Sequence, residues 1–199
     1  MTIFTSPRPL VWGEMDVPIF GLDRDLSGAA VDPPAAFSLV TDPAHLWFIA
    51  NHRKPALIHS KARPGAFQAE LWKFDVAELF VAEPTTGRYF EFNLAPNGSW
   101  WSCEFTAPRV RADEVDIAMP EVATYAEMSA DGTWVAAMAI PLSLLRARLD
   151  FGPNTRLNVT MILNSPDQKF ISAADLGPGE PDFHQPGRFP QARFVALKE

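Results

Sequence analysis

The sequence predicts an all-β protein: a single antiparallel β-sandwich, immunoglobulin-like or jelly-roll-like, with one short helix near residues 141–149. Three observations carry this. The 199 residues include 19 prolines, nearly twice the usual ~5% share, and proline is poorly tolerated inside helices and central strands. Apolar residues recur with period two in short runs. Turn residues separate those runs at a spacing of roughly 8–12 residues, as in sandwiches and barrels. Eight to ten strands are expected, and helical bundles and coiled coils are excluded. At 47% hydrophobic and 21% charged residues, the chain can build a core and is not disordered. No repeat or composition break divides it, so residues 1–199 are expected to form one domain.

The elements follow in order. Phe37-Ser38-Leu39-Val40 is the first clear strand and stops at the turn Asp42-Pro43; His45 to Ala50 is the next. Trp72 to Val81 alternates Val76/Glu78/Phe80 against Ala77/Leu79/Val81. After the turn Pro84-Thr85-Thr86-Gly87, residues 88–94 alternate Tyr89/Glu91/Asn93 against Phe90/Phe92/Leu94. Pro96-Asn97-Gly98 signals a hairpin, because Asn-Gly accepts positive φ cheaply, and Trp100 to Phe105 returns to complete a meander. A second hairpin turns at Ala130-Asp131-Gly132 between the strands Ala123 to Met128 and Thr133 to Ile140. Residues 141–149 read as a helix, with proline in the first turn and arginines near the C-terminal end. Arg156 to Leu163 is a further strand. Residues 164–188, rich in Pro, Gly and Asp, read as a long ordered loop or edge structure, and Gln191 to Leu197 closes the sheet.

Charge and motifs exclude several functions. Seventeen Lys and Arg against 24 Asp and Glu leave a net charge of −7, which argues against a nucleic-acid partner, because neutralising phosphates takes clustered cations. The lone Cys103 excludes an intramolecular disulfide or a Cys-rich zinc site and is expected as a small buried hydrophobe. Among the four histidines, His45, His52 and His59 are expected to be solvated or capping residues, and none has metal-ligand spacing. No segment approaches the ~20 apolar residues of a membrane span, and the N-terminus lacks a secretory pattern. A soluble, cytoplasmic protein with no membrane partner is expected, or an exported one if a leader has been removed. There is no Gly-rich phosphate loop, nucleophile elbow or CxxC, so no catalytic residue is assigned.

The informative oddity is charge inside good strands. The faces carrying Ala77/Leu79/Val81 and Phe90/Phe92/Leu94 are wholly apolar, so Glu78 and Glu91 point outward or into a cleft. If the strands pair through the intervening turn, both carboxylates share a sheet face with Tyr89, Asn93 and one ring of Trp100-Trp101. Asn158 and Thr160 can extend that face. Carboxylates, amides and aromatic rings on one surface suit sugar recognition, while a solvated face is the ordinary alternative in antiparallel sheets. Two carboxylates also raise glycoside hydrolysis, but the pattern supplies neither their separation nor a pKa difference, so a non-enzymatic protein is expected. His184 lies in the proline-bracketed loop Pro181-Asp182-Phe183-His184-Gln185-Pro186, where prolines would hold Asp182 and His184 in place. A purely structural role for that loop fits equally well.

These residues also carry a resemblance. Leu71-Trp72-Lys73-Phe74-Asp75-Val76-Ala77-Glu78-Leu79-Phe80, followed by Arg88-Tyr89-Phe90-Glu91-Phe92-Asn93-Leu94-Ala95-Pro96-Asn97-Gly98-Ser99-Trp100-Trp101, resembles the DOMON-like proteins related to family 9 carbohydrate-binding modules. Leu39-Val40-Thr41-Asp42-Pro43, Leu46-Trp47-Phe48, Ala139-Ile140-Pro141-Leu142 and the tail motif Pro181-Asp182-Phe183-His184 with Phe189 extend it over about residues 37–195. The resemblance implies a sandwich that holds a small sugar or oligosaccharide on one sheet, between tryptophan rings and among groups that read its hydroxyls. Trp72, Glu78 and Glu91 match that pattern best, with Asn93, Trp101 and Arg109 beside them. No tryptophan follows Trp134, so the second ring is expected from His184 or Phe183. No cofactor is expected in this reading. The alternative implied by other relatives of the fold is a haem module in a redox system, with Met138, Met161 and His184 as axial candidates. A protein partner is left open.

Overall fold

A computed structural model describes residues 1–116 and 118–198 of the chain. Thirteen strands and one α-helix run in the order β1 (Thr2–Thr5), β2 (Phe20–Arg24), β3 (Ala30–Thr41), β4 (His45–His52), β5 (Val76–Ala82), β6 (Tyr89–Leu94), β7 (Trp100–Ala107), β8 (Val110–Arg111), β9 (Ala123–Met128), β10 (Trp134–Pro141), α1 (Leu142–Leu149), β11 (Arg156–Leu163), β12 (Lys169–Ser172) and β13 (Arg193–Ala196). One sheet has the order β13-β1-β3-β4-β10-β9, with β2 also paired to β3; the other has the order β12-β11-β5-β6-β7-β8. The expected meander is β5-β6-β7, and the hairpins at Asp42-Pro43 and Asp131-Gly132 join β3 to β4 and β9 to β10.

Side chains of alternate residues point to opposite faces of a strand. One set from each sheet therefore meets in the middle: Leu39, Phe48, Met138 and Ile140 against Leu79, Val81, Phe92, Leu157 and Met161. This is the core the alternation predicts. The outer faces are covered too. On the first sheet, Leu10, Trp12, Met15 and Val17 of the N-terminal segment lie over Val40, Trp47, Ile49, Ala137 and Ala139. On the second, Leu176, Phe183 and Phe189 pack on Val76, Phe80, Tyr89, Cys103, Phe105 and Ile162.

The structure departs from the sequence reading in several places. There are more strands than the eight to ten expected, and β1 pairs in parallel with both β3 and β13. Hairpins enforce antiparallel pairing, whereas terminal segments that arrive without one can pair either way. The strand expected from Trp72 starts only at Val76; residues 71–73 form a 3₁₀ turn entered through Glu70 at φ 64°. The helix begins after Pro141 and buries Leu142, Leu145 and Leu149. Within the expected loop 164–188 lies the strand β12. His52 is buried, with its Nε2 3.2 Å from the Pro33 carbonyl; it lies opposite Trp134 and continues the inward-facing set Leu46, Phe48 and Ala50. Trp100 belongs to the inter-sheet core and packs edge-on against Phe67. Cys103 is buried as expected, but on the outer face, where Arg111 Nε donates to its Sγ at 3.2 Å.

Asp42 ties the N-terminal segment to the first sheet. Its carboxylate accepts from the backbone N–H groups of Leu10, Ala44 and His45 and from Trp47 Nε1. Burial alone would raise its pKa, but these four donors together hold it below the usual carboxylate range. Asp42→Ala orphans four donors at once and is expected to lower stability by about 2–4 kcal/mol, measured as a shift in the urea midpoint. An unchanged midpoint would show that the segment is not anchored there.

Candidate functional site

The site begins with a register. In the β5–β6 ladder Glu78 lies opposite Asn93 and Phe80 opposite Glu91, so the two glutamates are diagonal neighbours on one face. Such neighbours stand about 7–8 Å apart. The flanking strands add Thr160 opposite Glu78, Cys103 opposite Glu91 and Trp101 opposite Asn93. Glu78 is 3% and Glu91 5% exposed, and together they form the floor of a cleft of about 430 Å³. Trp72 and Trp101 stand along it, Arg109 comes from the β7–β8 turn and Arg111 from β8, and Pro181, Phe183 and His184 come from the loop above. Trp72 is 52% exposed at the rim, because its 3₁₀ turn carries it clear of the sheet.

The electrostatics follow from burial. Glu78 accepts a hydrogen bond from Thr160 Oγ1 at 2.8 Å. Burial raises its pKa to about 7, and the Thr160 bond only partly opposes this. Glu91 is raised further, first by burial and then by the like charge of Glu78, against weaker pulls from Asn93, Arg109 and Arg111. Two adjacent buried carboxyls cannot both ionise cheaply, so the pair retains a proton near neutral pH.

His184 closes one end. Tyr89 Oη accepts the Arg109 backbone N–H at 3.1 Å and lies 2.7 Å from His184 Nδ1. That contact occupies Nδ1, and the other ring nitrogen, Nε2, faces Glu91 Oε2 at 3.7 Å. Burial, helped by the Arg109 charge and opposed by Asp182, lowers the His184 pKa to about 4. Asp182 Oδ1 accepts from the His184 backbone N–H at 2.9 Å and from Arg109 at 2.8 Å, so the proline-bracketed loop is held by its own acid. The Arg111 guanidinium lies 5.6 Å from the Trp101 ring centre and pairs with Asp116.

Six residues singled out in the sequence, Trp72, Glu78, Glu91, Trp101, Arg109 and His184, line this one cleft. The seventh, Asn93, is fully buried beside them. Trp101 Nε1 and both Asn93 amide atoms are buried without a well-formed hydrogen bond, although the Asn93 amide lies close enough to Glu91 to favour its ionised form. Asn158 and Thr160 extend the face as expected. The Asn158 amide is spent on Ser172 and the Ala174 backbone, so it has a structural task. Trp100 points away into the core. Phe183, one of the two residues offered for the second ring, lines the cleft with His184. Sequence reasoning missed Phe105, Arg111, Ile162, Phe170 and Pro181. Continuing the alternation from Trp101 through Cys103 reaches Phe105, but no local signal marks Arg111 or Phe170.

Of the three candidate haem ligands, Met138 and Met161 are fully buried in the inter-sheet core, whereas His184 lies in the outer cleft with its Nδ1 bonded to Tyr89. Among the described residues, no group of three or more His, Cys, Asp or Glu side chains could hold a metal ion, and no helix is long and apolar enough to cross a membrane.

Raised carboxyl pKa values make stability depend on pH with a definite sign. Below the usual value of 4.5 both glutamates are protonated, folded or unfolded. As pH rises, the unfolded chain releases its protons first, so stability is fully present below 4.5, falls as pH rises above it, and the loss is complete once pH has passed about 7 for Glu78 and about 8 for Glu91. The double variant Glu78→Gln, Glu91→Gln is expected to flatten this fall and raise Tm at pH 8.5 by about 4 °C or more. Thermal unfolding between pH 5 and 9 reads it; parallel curves for variant and parent would contradict the assignment.

No protein-family model and no curated protein matches this sequence. Solved structures do match in fold. A candidate carbohydrate-binding protein from Bacteroides uniformis superposes with a TM-score of 0.70 at 14% identity, over 98% of this chain and 99% of that one. A family 9 carbohydrate-binding module from Caldicellulosiruptor kristjanssonii, solved with glucose, gives a TM-score of 0.62 at 15% identity, over 99% and 97% of the two chains. The same organism's family 9 module with cellotriose gives 0.63 at 15% identity, over 99% and 94%. These matches bear on the carbohydrate-binding-module side of the expected resemblance; they do not speak to its DOMON side. Along almost its whole length the chain has the fold of the family 9 carbohydrate-binding modules.

Proposed function

We propose that this protein binds carbohydrate, and that one sugar ring lies in the cleft over Glu78 and Glu91. The observation that carries this reading is the convergence of two buried glutamates with unpaired buried polar atoms beneath aromatic walls. Buried polar groups nearly always find partners. Trp101 Nε1 has none in the protein, and the Asn93 amide has only a weak interaction with Glu91, which suits a site whose remaining partners come from water or a ligand. A sugar supplies hydroxyls for the carboxyls and amide, and an apolar ring face for tryptophan. The fold shared with modules solved in complex with glucose and cellotriose supports the same ligand class.

Trp72 is the exposed platform in this reading, and a burial of ring against ring at such a rim contributes of order 1–2 kcal/mol. Its neighbour Lys73 lies 5.2 Å from the ring centre and must swing aside for stacking on that face. Calorimetric titration with glucose, galactose, xylose, cellobiose and cellotriose is expected to show binding of at least one at millimolar Kd or tighter. Trp72→Ala should weaken that binding about tenfold without changing Tm, because the ring lies outside the core. No heat across the panel at millimolar sugar would sink the proposal.

A further inference from the structure

The carbohydrate cleft holds more than hydroxyl readers. We propose that it also interconverts the α and β anomers of the reducing sugar it binds, with Glu78 as base at the anomeric hydroxyl and Glu91 as acid at the ring oxygen. The inference rests on the sugar-binding reading and goes beyond it to a reaction.

Both carboxyls rise from the same sheet face on adjacent strands, so in the proposed reaction they address two neighbouring oxygens of one ring from the same side. The hydroxyl oxygen and ring oxygen on the anomeric carbon are such a pair. The two roles also divide naturally. Thr160 donates to Glu78, which favours its ionised form, and Glu91 beside that charge retains the proton. General acid and base groups work best when their pKa values lie near the working pH, and both carboxyls are displaced upward towards neutrality.

The reaction balances without a co-reactant. Glu78 carboxylate removes the proton from the anomeric hydroxyl, whose oxygen becomes the carbonyl oxygen. The bond between the anomeric carbon and the ring oxygen breaks, its electron pair goes to the ring oxygen, and that oxygen takes the proton from Glu91. The open-chain aldehyde turns about its first carbon–carbon bond and closes on the other face, with both protons retracing their paths. Nothing is oxidised and no group leaves. His184 is a positioning residue: its Nε2 faces Glu91 Oε2 at 3.7 Å, and the hydrogen bond between its Nδ1 and Tyr89 Oη holds the ring in place. The other titratable or charged groups around the pair are Arg109, Arg111, Cys103 and Asp182.

Polarimetry of freshly dissolved α-anomers tests this, using whichever reducing sugars of the calorimetric panel bind. The protein should raise the rate of optical-rotation decay above the buffer rate in proportion to its concentration, with a bell-shaped pH profile centred between 7 and 8. Glu91→Gln should lower kcat about 100-fold with a change in KM of less than tenfold, and Glu91→Asp should restore part of the rate. Circular dichroism confirms that each variant is folded, and Glu78→Gln gives an independent loss. If a sugar binds and its mutarotation runs at the buffer rate, this proposal is overturned while the binding reading stands. If no sugar binds, both fall.

Discussion

The pairing of β5 with β6 sets everything that follows. Both strands are buried at every position, seven residues in one and six in the other, because the inter-sheet core covers one face and the loop carrying Phe183 and Phe189 covers the other. A slip of one residue would carry Leu79 and Phe92 out of the core and drive both glutamates into it, at a cost no neighbouring cation could offset. Burial thus holds the register, and the register holds two carboxyls side by side in a place where water is scarce. Their raised pKa values follow from that packing.

In the proposed function, a binding surface and a proton-handling site are the same set of residues: the aromatic walls shield the floor from water and offer a sugar's apolar face something to meet. The same exclusion weakens solvation of the carboxylates and lifts their pKa values. Asp182 organises the outer wall by holding both the His184 backbone and the Arg109 side chain. Arg109 in turn reaches Tyr89 through its backbone N–H, from a left-handed conformation at φ 61°. One loop and one turn therefore fix the imidazole above Glu91, while the sheet fixes the carboxyls below it.

Much of this was legible from period-two patterns. Leu79 and Phe92 identified the core face, and Glu78 and Glu91 stood out because they interrupted the opposite one. Pro181 and Pro186 marked the loop that carries His184. What pattern reading could not supply was the covering layer. Residues 10–17 and 174–189 have no regular period, so nothing local announced that they roof the outer faces. His52, at the end of β4, looked solvated because it is polar and precedes a basic loop, but it continues the inward-facing set Leu46, Phe48 and Ala50 and is buried. Arg111 and Phe170 reach the cleft from a two-residue strand and an edge strand, where side-chain direction depends on tertiary pairing. The parallel pairing of β1 is of the same kind, since no hairpin connects it to its neighbours.

The central claim is that Glu78 and Glu91 form one coupled, partly protonated pair that a sugar touches. Carbon-13 NMR of glutamate carboxyls, assigned with Glu78→Gln and Glu91→Gln, tests it most directly. The account predicts two carboxyl resonances that titrate together above pH 6, far from the usual 4.5, and that move when a bound sugar saturates the site. If every glutamate carboxyl titrated independently near 4.5 and none responded to sugar, the account would be contradicted.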